Sequence, residues 1–262
     1  MNKVVAFVQG ASRGIGLHFA KDLAKKPNAF VIASCRDPDN AVNLQALSNQ
    51  VNNVDLLRID VTNEDDIKHA AVYIKEKYNS KLDLLINIAG MLSPSGRGET
   101  SLREVSVQAL EETFKVNTFG PLLVAKHFGQ FLQNGNGGFG AKSESEKLKH
   151  SGVLVNMSAK VGSIGDNSLG GWYSYRLSKA ALNMVTKNLS IELGRGRKKV
   201  ICVSLHPGSV DTDLSRPYLK SIPTERLFSP EYSVSCLMNV IDNLNVHDTG
   251  KFFSWDGSEL PY

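Results

Sequence analysis

Cysteine is scarce. The 262 residues hold three, Cys35, Cys202 and Cys236, far apart and odd in number, which excludes a disulfide framework and a cysteine metal cluster. The six histidines (His18, His69, His127, His150, His206 and His247) show no metal-ligand spacing, so no metal is expected. Long hydrophobic runs are missing too: the apolar stretch 4–8 stops at Gln9 and Gly10, too short for a signal peptide or a membrane span. A cytoplasmic protein without a membrane partner is the expectation. Charge of one sign is also lacking, since 30 Lys+Arg against 26 Asp+Glu leave a net charge of +4 dispersed along the chain, which argues against a nucleic-acid partner. At 42% hydrophobic and 21% charged, the chain can bury a sizeable core in a soluble protein.

What is present is a series of apolar, β-branched runs at 4–8, 30–33, 54–59, 82–88, 153–157, 200–205 and 252–255. They are apolar on both faces, and amphipathic segments separate most of them. Helix candidates are 14–26, 64–78 with Thr62 or Asn63 as N-cap, 107–133, 172–193 and 231–244. Buried strands alternating with helices predict an α/β fold: one Rossmann-type domain over 1–262, with a doubly wound parallel sheet of seven strands and helices on both faces. Two stretches interrupt the pattern. Residues 134–152, rich in Gly, Ser, Lys and Glu, read as an exposed insertion loop. Residues 211–230 carry Pro217, Pro223 and Pro230, follow the sixth strand and are a candidate substrate lid.

The first strand runs into Gln9-Gly10-Ala11-Ser12-Arg13-Gly14-Ile15-Gly16 and then an amphipathic helix. Strand, glycine turn and helix in this order are what a dinucleotide needs. Gly10 permits a tight turn, Gly14 lets the backbone approach a pyrophosphate, Gly16 allows close packing, and the helix N-terminus offers free N–H groups. Ser12, Arg13 and Ile15 belong to the same expected cradle. Arg13 and Arg36 are two candidate cations for a ribose 2′-phosphate and favour NADP(H). Asp37, near the usual distance for a ribose hydroxyl partner, leaves NAD(H) open.

Ser158 follows the fifth strand, and Tyr175 and Lys179 stand four apart on the next helix, hence on one face. That spacing is weak by itself, but the pair falls where a cofactor held by the first glycine turn would present its nicotinamide. A nearby ammonium and a cationic nicotinamide would lower the phenol's pKa, letting Tyr175 serve as general acid, while Ser158 would hydrogen-bond the same carbonyl oxygen.

With these motifs in order, the chain resembles the short-chain dehydrogenase/reductase superfamily over nearly its full length. Asn87-Ile88-Ala89-Gly90 is similar to the family's stretch after the fourth strand. Asn117 matches the helix asparagine that completes the catalytic group through a water and the lysine, and Asp60-Val61 matches the pair bordering the adenine. Within His206-Pro207-Gly208-Ser209-Val210-Asp211-Thr212, residues Pro207, Gly208, Val210 and Thr212 match the element at the nicotinamide end. The helix sequence from Gly170 to Asn183, the ending 256–262 and the long 17-residue gap from Ser158 to Tyr175 resemble the C-factor and Sniffer carbonyl reductase branch. Gln9, in place of the family's usual threonine, is a departure.

The resemblance implies hydride transfer from NADPH to an aldehyde, ketone or quinone, with Tyr175 as acid, Lys179 holding the ribose, Ser158 orienting the oxygen and Asn117 supporting Lys179. The alternative is an NADP-binding signalling or sensor protein without turnover. Met91, Leu92, Trp172, Leu214 and Tyr218 suggest an apolar pocket for a small-molecule substrate. A homo-oligomer, dimer or tetramer, is expected through helices 107–133 and 172–193.

Overall fold

Alternate residues of a strand face opposite sides of a sheet, and here both sets are apolar. The computed structural model, which describes residues 3–143, 145 and 149–262, shows the outcome. Strands β1 (Val4–Gln9), β2 (Ala29–Cys35), β3 (Val54–Arg58), β4 (Leu84–Asn87), β5 (Gly152–Met157), β6 (Val200–His206) and β9 (Phe252–Ser254) form one sheet in the order β3-β2-β1-β4-β5-β6-β9. Every pairing is parallel. Two short strands, β7 (Ser209–Val210) and β8 (Leu227–Phe228), pair separately. This is the Rossmann-type doubly wound sheet of seven strands.

The strand residues Ala6, Val8, Val31, Ile86 and Val203 pack on one face against α1 (Gly14–Lys25), α2 (Val42–Gln50) and α7 (Pro230–Asn243). Their neighbours Val5, Phe7, Ile32, Leu85 and Cys202 pack on the other, against α3 (Glu64–Lys77), α5 (Gly120–Gln133) and α6 (Tyr173–Leu193). Asn63 is the N-cap of α3, accepting from the Asp65 N–H. Cys35, Cys202 and Cys236 are free thiols. Among the described residues no helix is long and apolar enough to cross a membrane.

Three expectations are corrected. Helix α2 was not expected, because it buries only Leu44 and Leu47 and has no side-chain cap, so its sequence carries little helical period. The single helix expected over 107–133 is α4 (Val107–Phe114), a π-helical turn Lys115–Phe119 and α5. Pro121 explains part of this, since it brings no N–H for the carbonyl four residues before it, that of Asn117. The third is the insertion 134–152, which is not exposed throughout: Phe139 is 2% exposed within the core. The buried carboxylate of Asp83 draws the segment in by accepting the Asn136 N–H at 2.7 Å and the Gly138 N–H at 3.2 Å. Residues 144 and 146–148 of the insertion lie outside the described residues.

Candidate active site

Parallel strands bring their carboxyl ends to one edge, and the sheet order reverses between β1 and β4, opening a crevice there. Every expected site residue lies on that edge or on the helices above it. Gly10 follows β1, Arg36 follows β2, Asp60 and Val61 lie just beyond β3, Asn87 ends β4 with Ala89 and Gly90 after it, Ser158 follows β5 and Pro207 follows β6.

The glycine turn is tightly built. Gly10 has φ +88°, and a Cβ there would sit 2.5 Å from the Ala89 nitrogen. On Gly16 a Cβ would lie 2.1 Å from the Gly10 carbonyl oxygen, so close packing is its role, as expected. Gln9 ties the end of β1 to the loop after β4, its Oε1 accepting from the Ala89 N–H at 3.1 Å. Gly14, at φ +52°, has only the Thr212 side chain within reach of a Cβ, at 3.3 Å. Arg13 is the N-cap of α1 yet makes no side-chain cap, and the first turn holds no acid, which leaves the leading N–H groups for an anion. Two buried polar atoms on the neighbouring strand ends, Ser34 Oγ and Asn87 Oδ1, have no partner among the described residues. Uncapped donors and orphaned polar atoms beside a glycine cradle fit a dinucleotide.

At the ribose end the expected groups do not converge. The Arg13 guanidinium pairs with Asp213 at 3.0 Å. Arg36 is exposed beyond β2, and the Asp37 carboxylate accepts from the Asn40 N–H at 3.2 Å and the Asn40 Nδ2 at 2.7 Å, which turns it into its own loop. Asp60 caps its own turn, taking the Thr62 N–H at 2.9 Å, while Val61 packs where a Cβ on Gly120 would be, at 2.7 Å.

Asn117 sits in the π-helical turn, completely buried. Its Oδ1 accepts from the Met91 N–H, and its Nδ2 donates to the Met91 carbonyl, both at 2.9 Å, tying the helix to the loop after β4. It makes no direct bond to Lys179. Asn117 Oδ1 and Lys179 Nζ instead flank the same space, lying 3.4 and 3.7 Å from where a Cβ on Gly90 would stand.

Tyr175 and Lys179 are 7% and 4% exposed. The Lys179 ammonium donates to the Met157 carbonyl at 2.8 Å and lies 5.8 Å from the Tyr175 ring centroid. Burial without a countercharge pulls Lys179 down to a pKa of about 8. The phenol of Tyr175 is pushed up by burial and, to a lesser degree, by Tyr218. Tyr175 is therefore a neutral, proton-bearing group in this state. The Ser158 hydroxyl donates at 2.7 Å to Oδ1 of Asn183, a buried residue that sequence reasoning did not single out although it stands one turn beyond Lys179 on the same helix face.

Of the expected pocket residues, Leu92, Trp172 and Tyr218 cluster around Tyr175. The Trp172 ring lies 4.9 Å from that of Tyr218 and 6.2 Å from that of Tyr175. Trp172 has φ +50°, a conformation that costs energy outside glycine, held by its N–H to the Glu99 carbonyl at 2.5 Å. Tyr218 comes from the 211–230 stretch, so this segment reaches across to the helix bearing Tyr175. Behind it Phe228 and Trp255, 4.6 Å apart, cover Gly208.

A family model, short chain dehydrogenase, matches residues 4–222. The chain belongs to that family. This short chain dehydrogenase is accordingly an oxidoreductase, and it resembles the Sniffer and C-factor branch. The crystal structure of NADPH bound carbonyl reductase from chicken fatty liver is similar at a TM-score of 0.85 and 32% identity, covering all of both chains. Carbonyl reductase Sniffer of D. melanogaster has a TM-score of 0.85 at 29% identity, again over both whole chains. C-signal of Myxococcus xanthus is 34% identical over 181 residues, 69% of this chain and 93% of its own.

Proposed function

We propose that this short chain dehydrogenase reduces a carbonyl group on a small molecule with NADPH. The observation that carries the reading is the neutral, buried Tyr175 beside the Lys179 ammonium, on the sheet edge where the uncapped glycine turn lies. The similarity to an NADPH-bound carbonyl reductase supports the same cofactor and class of reaction. In this reading Gly10, Ser12, Arg13, Gly14, Ile15 and Gly16 cradle the pyrophosphate, with Arg13 and Arg36 as cations for the 2′-phosphate. Asp60 and Val61 border the adenine. Asn87, Ala89, Gly90, Pro207, Gly208, Val210 and Thr212 line the path to the nicotinamide. NADPH, when bound, supplies the hydride.

The remaining chemistry belongs to the chain. Tyr175 gives its Oη proton to the oxygen that was the carbonyl. The Lys179 cation favours the phenolate left behind and binds the ribose, and Asn117 fixes the loop facing it. Ser158 positions the reacting oxygen. Residues 211–230, through Tyr218, act as a lid that together with Trp172 excludes water. Leu177, Met184 and Ile191, exposed at every seventh position of α6, and Phe119 at the end of the π-helical turn with Leu122 on α5 form an apolar face on which a second copy would pair.

The test is NADPH consumption with aldehydes, ketones and quinones. Turnover that disappears in Tyr175→Phe while NADPH binding remains is the expected result. Tight NADPH binding without turnover of any carbonyl would instead favour a sensor.

A further inference from the structure

The first turn of a helix has N–H groups that its own backbone cannot satisfy, and Tyr175 stands in the first turn of α6. That turn has no cap of its own. Trp172, the residue before it, makes no side-chain cap, and the turn holds no acid. The chain also enters it under constraint: Gly170, Gly171 and Trp172 are left-handed in succession, at φ +64°, +67° and +50°. A tryptophan keeps such a conformation only where its surroundings hold it.

One residue of the loop after β4 meets both needs. Glu99, 5% exposed, accepts the Trp172 N–H on its carbonyl and the Ser174 N–H on its two side-chain oxygens, at 3.3 and 3.4 Å. Gly98 lies against the indole, since a Cβ there would stand 2.5 Å from two of its ring carbons. Glu99 is itself braced, because Arg97 and Thr100 on either side of it both donate to Glu104, at 3.0 and 2.7 Å. An acidic side chain also suits the N-terminal end of a helix.

We infer that Glu99 is a positioning residue for Tyr175: it caps α6 from outside the helix and locks Trp172, so that the phenol is held at the reacting oxygen and the indole beside it. The inference rests on the proposed carbonyl reduction and adds a residue to it. The loop that bonds Asn117 through Met91 thus also grips α6 through Glu99, and one segment ties the helical turn of Asn117 to the helix of Tyr175.

The experiment compares wild type with Glu99→Gln, Glu99→Asp and Glu99→Leu, reading kcat for carbonyl reduction per NADPH-binding site. A misplaced acid slows the chemical step and leaves the cofactor cradle alone, so Glu99→Leu should lose about tenfold or more in kcat with NADPH affinity nearly unchanged. Glu99→Gln keeps an oxygen at the same reach and should stay within about threefold of wild type. Glu99→Asp keeps the acid but draws it back by one carbon, and should fall with the leucine variant. The contrast between the Gln and Asp variants decides the matter if Glu99→Leu does not fold. Trp172 and Trp255 are the two tryptophans of the chain, so in a Trp255→Phe background fluorescence reports Trp172 alone. Acrylamide should quench it more strongly in Glu99→Asp and Glu99→Leu than in Glu99→Gln. Equal kcat in all four proteins, a loss in Glu99→Gln as large as in Glu99→Asp, or quenching that does not differ overturns the inference. A wild type that binds NADPH and reduces no carbonyl overturns the proposed function instead, and the quenching then still tests whether Glu99 holds the turn.

Discussion

Replacing Lys179 with Met should make the protein more stable while abolishing its turnover. The ammonium is 4% exposed and its hydrogen bond is to a neutral carbonyl, that of Met157. Burial lowers its pKa from 10.5 to about 8. At about 1.4 kcal/mol for each tenfold change in proton affinity, keeping the charge in the folded state costs roughly 3 kcal/mol. The Met157 hydrogen bond offsets about 1 kcal/mol of that, so the thioether, of similar length, should gain about 2 kcal/mol, roughly 5 °C in Tm for a chain of this size.

The pH dependence has a definite sign. Below about pH 8 both folded and unfolded Lys179 are charged, and the folded state bears the whole cost. Between about 8 and 10.5 the folded lysine is neutral while the unfolded one still binds a proton, so wild-type stability rises with pH. Urea unfolding at about pH 7 and about pH 10 should therefore show a gap between variant and wild type that narrows as pH rises. A variant less stable than wild type at the lower pH, or a gap that does not change, would refute the reasoning.

The same titration predicts the rate profile: kcat/KM for carbonyl reduction should be level below about pH 8 and fall above it as Lys179 loses its proton, since Tyr175 keeps its own. Initial rates that stay flat well past that point contradict the role given to Lys179. Arg13→Gln and Arg36→Gln should each raise the Kd for NADPH about tenfold and leave that for NADH nearly unchanged in fluorescence titrations. If neither moves NADPH affinity, the preference does not come from these cations. Gly16→Ala places a Cβ 2.1 Å from the Gly10 oxygen, so soluble folded protein or NADPH binding should be lost; wild-type affinity would count against the turn as drawn. Phe139→Ala should cost about 3–5 kcal/mol in denaturant unfolding, the signature of a core position, whereas a loss under about 1 kcal/mol would return residue 139 to an exposed loop.

The sheet was legible because its signal is local. Each strand is a short β-branched run, and apolar residues at both odd and even positions leave no choice but two covered faces. The glycine turn was legible for the same reason: strand, turn and helix are contiguous, and Gly10 and Gly16 have the close contacts their spacing implied. Helix α2 was illegible because two buried leucines in nine residues make no period. The π-helical turn was hidden although Pro121 stood in plain view, since the residue that uses the distortion, Asn117, finds its partner Met91 only through the fold.

The sequence by itself determined the seven strands of the sheet and most of the helices between them, the edge on which the chemistry gathers, and the four side chains Asn117, Ser158, Tyr175 and Lys179 as candidates. Only the tertiary structure decided what each of them is bonded to and what state it is in. Burial holds Tyr175 protonated, a desolvation that spacing along the chain does not reveal. Asp83 pulls Phe139 into the core from a segment whose composition reads as solvent-exposed. Asn183 meets Ser158 across 25 residues of chain. Periodicity and spacing are properties of neighbours along the chain, whereas desolvation and hydrogen-bond direction depend on groups that become neighbours only when the sheet closes over them.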